Sequence, residues 1–220
     1  MKKEKIINSV LEMIFPPSLY CLCCGNIIDK SRTYSLCDHC MSHMEWNGFE
    51  EKENDGMKVM WCVRYSLYSK RMIFGLKYNG KKYISREIAR IMKDKLDLEE
   101  SEFDVIVPVP VSAEREKQRG FNQVALIGKY LGKLTGKECI PYALLRTRDT
   151  RPMRGLNPEE RKENIKGTIA LNRKYGKMLK DKRILLIDDF YTTGSTSGEC
   201  RKELMKAEPE DILFLSFAAK

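Results

Sequence analysis

Ile184-Leu185-Leu186-Ile187-Asp188-Asp189-Phe190-Tyr191-Thr192-Thr193-Gly194-Ser195-Thr196 decides the fold. Four branched apolar residues run straight into two adjacent carboxylates. An unbroken run of this kind predicts a strand buried on both faces, as in a parallel sheet with helices on either side. Acids at the C-terminal end of such a strand sit where open α/β sheets bind ligands. The small residues of 192–196 allow backbone N–H groups to close around an anion, and the helical pattern that follows puts a helix N-terminus behind them. One peptide therefore offers a phosphate cradle beside two acids, a pairing suited to a phosphorylated sugar.

The 220 residues suit one α/β domain plus a small module. A hydrophobic content of 42% supports a sizeable core, and a net charge of +9 favours anionic partners such as phosphate esters or nucleic acid. Five of the eight cysteines crowd between Cys21 and Cys40, which points to a metal site in a reducing cytosol rather than a disulfide scaffold. The lysine-bearing N-terminus has its apolar residues interrupted by Asn8, Ser9 and Glu12, so it makes a poor signal peptide. No apolar stretch reaches the ~20 residues of a spanning helix. A soluble, cytoplasmic protein is expected.

Ile6, Ile7, Val10, Leu11 and Ile14 recur at helical spacing, and Pro16-Pro17 ends the pattern. The predicted amphipathic helix leads into Cys21-x-x-Cys24 and Cys37-x-x-Cys40. Two such hooks close a tetrahedral zinc site, and four protein ligands leave no open position, so the zinc is structural. Cys23 is left over. Residues 1–45 thus form a helix and a zinc module, the charged stretch 46–58 reads as a linker, and 59–220 form the main domain. Val59 to Tyr68 reads as a strand and Ser69 to Tyr78 as a helix; Lys77 at its end is placed to meet a phosphate, but reads first as a solvated helix-end lysine. A helix is also expected over Ile84 to Leu98.

Phe103-Asp104-Val105-Ile106-Val107-Pro108-Val109-Pro110 reads as a second buried strand ended by prolines. The basic run Ser112 to Arg119 reads as a loop; entering a helix N-terminus from a strand end, it reads as a second anion site to which Arg115, Lys117 and Arg119 add charge. A long helix then opens at Gly120-Phe121-Asn122-Gln123 and runs to about Leu134, with Asn122 as its cap. Arg146 to Gly167 carries seven basic and four acidic residues, with Pro152, Gly155 and Pro158 breaking regularity. It is expected to be a mobile cationic loop with a short helix from Pro158 to about Glu163. Strands are expected at Thr168 to Leu171 and Asp211 to Ala218.

The acid-ended strand resembles the phosphoribosyl-diphosphate (PRPP) loop of type I phosphoribosyltransferases, with Asp188, Asp189, Thr193, Gly194 and Thr196 at matching positions. The resemblance implies that the acids face the ribose hydroxyls and that Thr192, Thr193, Gly194, Ser195 and Thr196 hold the 5′-phosphate. The whole chain is similar to ComF-type competence proteins. That likeness rests on the four-cysteine module, Val107-Pro108-Val109-Pro110, Arg119-Gly120-Phe121-Asn122-Gln123, the Arg146–Gly167 segment with Arg161, Asn164 and Gly167, and the PRPP loop. It implies a type I phosphoribosyltransferase-like parallel sheet flanked by helices, and a link to DNA uptake in natural transformation. Phe190 and Met153 depart from the usual residues, touching the packing beneath the ribose and the contacts of the mobile loop.

Three functions compete. The first is a Mg2+-dependent phosphoribosyltransferase of unknown acceptor. Its transition state carries positive charge at the sugar. Mg2+ would bridge pyrophosphate and ribose oxygens. Arg146, Arg148, Arg151, Arg154 and Arg161 would neutralise pyrophosphate, and the backbone around Ser112 would hold it. The second is a non-catalytic PRPP or nucleotide sensor working with a competence helicase. The third is a single-stranded-DNA adaptor using Phe121, Tyr142 and Tyr191 as stacking surfaces. The intact acids and the Thr193-Gly194 pair favour the first two, with at most weak DNA binding.

Overall fold

The computed structural model describes residues 19–29, 31–48, 51–54, 56–148, 155 and 157–220. The amphipathic helix expected before Pro16 lies outside them, as do Arg151, Met153 and Arg154.

A six-stranded sheet runs in the order β1 (Glu51–Asn54), β2 (Met57–Arg64), β8 (Asp211–Ala219), β7 (Arg183–Tyr191), β3 (Val105–Pro108), β4 (Glu138–Cys139). Only the β1–β2 pair is antiparallel. β7 lies between β8 and β3, with Leu186 opposite Phe214 and Val107. Its four apolar residues face alternately up and down, and all are essentially inaccessible. The expected parallel sheet with flanking helices is therefore what forms.

Leu185 and Ile187 pack with helices α3 (Ile84–Leu98) and α5 (Gln123–Thr135). Ile184 and Leu186 pack on the opposite face with Leu179, Cys200 and Leu204, the last two from α8 (Ser195–Leu204). α5 sits close to the sheet because Gly128 has no side chain. A Cβ there would lie 2.8 Å from the Cys139 sulfur and 3.1 Å from Ile187.

The cysteine module does not hang apart from this core. Leu22, Leu36, Cys40 and Met44 belong to the same apolar cluster as Met72, Ile88 and Met92. Polar contacts fasten it to α3: Ser35 N–H donates to Glu87 (2.8 Å), Arg90 to the Thr33 carbonyl (2.8 Å), and the Tyr34 hydroxyl to Asp94 (2.7 Å). Cys23, the thiol outside the hooks, packs against this core and donates to the Tyr68 carbonyl at 3.6 Å. Burial pushes its pKa up.

Two stretches differ from the sequence reading. Within 46–58, Trp46 bridges to Val63 and β1 pairs with β2, so those residues extend the sheet. The signal was Asn54-Asp55-Gly56, a hairpin-turn composition. Ser112 to Arg119 is a helix rather than a loop. α4 (Ala113–Arg119) is capped by Ser112, has Glu114 and Glu116 in its first turn, Lys117 and Arg119 in its last, and stops at Gly120. That charge order complements a helix dipole.

Candidate active site and metal centre

β7 carries the two acids to the C-terminal edge of the sheet, and alternation separates them. Asp189 follows Leu185 and Ile187 onto the α3/α5 face, whereas Asp188 follows Ile184 and Leu186 onto the other. Asp189 is 3% exposed and both of its oxygens are engaged. Lys77, in the last turn of α2 (Leu67–Tyr78), pairs with Oδ1 at 2.7 Å. The Gln123 amide donates to Oδ2 at 3.1 Å, and Arg119 in turn donates to the Gln123 carbonyl oxygen at 2.8 Å.

Asp188 is half-buried and accepts the Asp189 backbone N–H at 2.7 Å. Burial, and then the neighbouring Asp189 charge, raise its pKa from 3.8 to about 7, against the opposing charges of Lys77 and Arg146. A carboxyl poised there changes charge near neutrality, and strongly shifted acids of this kind cluster at functional sites.

These groups border a cavity of about 570 Å³. Its charged lining is Asp188 and Asp189 against Lys70, Lys77, Arg115, Arg119, Arg146 and Arg161, with Thr192 and Thr196 from the loop after β7. Of the described arginines of the 146–167 segment, Arg146 and Arg161 reach this cavity. Arg146 does so from the end of β5 (Leu144–Arg146), which pairs with β6 (Ile169–Leu171), and Arg161 from α6 (Pro158–Ile165). Arg148 is exposed and donates to the Lys166 carbonyl at 2.9 Å. Ser112 is buried as the α4 cap, accepting the Arg115 N–H, and does not border the cavity.

The 192–196 loop divides two hollows. Thr193, Gly194 and Ser195 border a neighbouring groove shared with α6. Thr193 and Ser195 hydroxyls lie 2.9 Å apart, and Ser197 donates to the Gly194 carbonyl at 3.0 Å. Gly194 caps α8 at φ +78°, and a Cβ there would stand 2.7 Å from the Tyr191 hydroxyl and against the Asn54 amide. Asn54, on edge strand β1, donates to the Gly194 carbonyl at 3.4 Å. The stretch read as a linker thus braces the loop.

Lys77 and Gln123 are the site residues that sequence reasoning undervalued, whereas Arg115 and Arg119, expected to add charge at a second anion site, line the same cavity. Lys77 is an ion-pair member with an 18% exposed side chain, not a solvated helix end. Nothing local to Leu76-Lys77-Tyr78 says that α2 ends over β7. Of the three aromatics offered as stacking surfaces, Tyr191 is buried and Phe121 packs against the core beneath Lys82 (5.0 Å). Tyr142 is 51% exposed but lies on a different groove. The aromatic rings that border the acid cavity are instead Tyr65, Phe74 and Phe190, with Tyr65 and Phe190 centroids 4.7 Å apart.

At the other end of the chain, the sulfurs of Cys21, Cys24, Cys37 and Cys40 all lie within 4.8 Å of one another. Ligands at about 2.3 Å around a tetrahedral ion place sulfurs roughly 3.8 Å apart, so the cluster fits zinc. Cys37 caps α1 (Asp38–Ser42), accepting the Cys40 N–H at 3.4 Å, which brings the second hook into shape.

No family model matches the chain. Competence protein ComFC of Streptococcus pneumoniae is 27% identical over 224 residues, covering 87% of this chain and 96% of that protein. Competence protein F of Haemophilus influenzae is 25% identical over 199 residues, 86% of each chain. The chain is similar to ComF-type competence proteins over most of its length. DNA utilization protein YhgH of Escherichia coli is also similar, at 25% identity over 84% of each chain. Among solved structures, adenine phosphoribosyltransferase from Thermoanaerobacter pseudethanolicus aligns over 83% of this chain with a TM-score of 0.41 and 13% identity. None of the described helices is long and apolar enough to cross a membrane.

Proposed function

We propose that this chain binds PRPP, or a closely related phosphorylated ribose, and serves the DNA-uptake machinery of natural transformation. The observation that carries the reading is the single cavity in which a pair of adjacent acids, six cationic side chains and two threonines of a glycine-bearing loop converge. Acids suit sugar hydroxyls, guanidinium and ammonium groups suit a diphosphate, and loop N–H groups at the start of α8 suit a terminal phosphate.

As a phosphoribosyltransferase, the chain would work by charge placement. Asp188 would meet the sugar on which positive charge develops as pyrophosphate leaves. Arg146 and Arg161 would neutralise the departing pyrophosphate. Mg2+ arriving with the diphosphate would add charge neutralisation, with Asp188 and waters as its ligands on the protein side. The acceptor is unassigned, and a sensor that binds PRPP without turnover uses the same contacts.

The competence role rests on the similarity to Competence protein F and ComFC. In this reading a helicase partner delivers the DNA and docks on the zinc module, where Ile27 stands 81% exposed and Tyr20 49%. Intrinsic DNA binding driven by the +9 charge would be weak, sequence-independent and steeply salt-dependent. The test is a deletion strain scored for transformants and complemented with Asp188→Asn/Asp189→Asn. Normal transformation in the deletion removes the role, and full rescue by the variant removes PRPP from it.

A further inference from the structure

The two acids are unlike in what they can offer a ligand. Asp189 is buried, and each of its oxygens already accepts a side-chain donor. Its partners are themselves arranged: Gln123 by Arg119, and Arg119 against the ring face of Tyr78 at 5.5 Å. An ammonium has three donors, and the pair with Asp189 uses one of those on Lys77. On α2, Lys70, Phe74 and Lys77 recur at spacings of four and three, a single helical stripe, and all three border the cavity. Lys70 lies over the Phe74 ring at 5.5 Å. This stripe, with Arg115 and Arg119 of α4, gathers cations from α2 and α4 along the cavity.

We propose that the acids divide the work: Asp189 is a positioning residue that holds Lys77, and Lys77 contacts the diphosphate of the ligand, leaving Asp188 as the acid that meets the sugar. The assignment rests on the reading of the cavity as a site for a phosphorylated ribose. A purely structural ion pair would give no reason for the lysine to face the cavity on the same stripe as Lys70. A lysine pinned by an acid on one side, with no second acceptor for it among the described residues, is pre-organised for an anion on the other.

The test is calorimetric titration of PRPP, inorganic pyrophosphate and ribose 5-phosphate into the full-length wild type, Lys77→Met, Lys77→Arg, Asp189→Asn and the neutral pair Lys77→Met/Asp189→Asn. The neutral pair leaves no unpaired charge behind, which protects the experiment from simple misfolding. Lys77→Met is expected to weaken PRPP and pyrophosphate by roughly 10- to 100-fold, the range of one charged hydrogen bond, and to leave ribose 5-phosphate within about twofold. Lys77→Arg should recover part of the loss. The neutral pair should bind pyrophosphate no worse than Lys77→Met alone, because Asp189 acts through Lys77. Unchanged pyrophosphate affinity in Lys77→Met overturns the inference, as does equal loss for ribose 5-phosphate, or a further additive loss in the neutral pair. A wild type that binds none of the three ligands overturns the underlying reading instead.

Discussion

Asp188 makes the ligand-free protein less stable as the pH rises, and Asp188→Asn should remove that penalty. In the folded chain its carboxyl holds a proton up to about pH 7, because burial and Asp189 oppose the charged form, whereas the ordinary value is 3.8. Between these values the folded state binds more protons than the unfolded state, so stability falls as pH rises through the window and is lowest above it. Three units at about 1.4 kcal/mol each would set a ceiling of roughly 4 kcal/mol. A half-buried carboxyl keeps part of its hydration, so about 1–2 kcal/mol is the expected cost at pH 8. Asparagine is nearly isosteric and does not titrate. For a chain of this size each kcal/mol moves the Tm by roughly 2–4 °C, so Asp188→Asn should melt on the order of 5 °C above wild type at pH 8. At pH 4 the two should melt together. The assay is calorimetric Tm against pH, without ligand, for both proteins. A difference that is the same at pH 4 and pH 8, or a variant less stable than wild type at pH 8, would refute the reasoning.

Metal analysis should find about one zinc per chain, and Cys24→Ser/Cys40→Ser should lose it. Because the module shares the α2/α3 core, that loss should lower the cooperative Tm of the whole chain, not melt the module alone. Gly194→Ala should cost about 2–4 kcal/mol, summing the ~1–2 kcal/mol of a left-handed residue with a Cβ and an overpacking strain against Tyr191 and Asn54, and should abolish PRPP binding. Limited proteolysis should cut first between Arg146 and Gly167, and PRPP with Mg2+ should protect that segment. Identical cleavage with and without ligand argues against a closing loop.

What the sequence could reveal follows from how local each signal is. β7 was legible because its apolar run, its acids and its glycine loop are contiguous, and a strand buried on both faces leaves that unmixed trace. The cysteine cluster was legible because each hook is four residues long and chemistry fixes the rest. α4 was hidden behind its own charge: Ser112, Glu114, Glu116, Lys117 and Gly120 spell a capped helix, but five charged residues in seven read as a basic loop. β1 was hidden because an edge strand with Glu51, Lys52 and Glu53 exposed need not alternate. Lys77, Gln123 and Arg119 come from three elements up to 112 residues from Asp189. Their meeting is a tertiary fact, set by how α2 and α5 pack on the sheet, and no spacing in the chain encodes it.

On the proposed reading, the acid-ended β7 cavity binds a phosphorylated ribose. Isothermal titration of PRPP into the wild type and Asp188→Asn/Asp189→Asn, each with and without Mg2+, tests it most directly. Saturable binding at one site per chain is expected in the wild type, strengthened by Mg2+, with at least a tenfold loss in the variant. Equal affinity in the two proteins, or no binding by the wild type at any Mg2+ concentration, would contradict it.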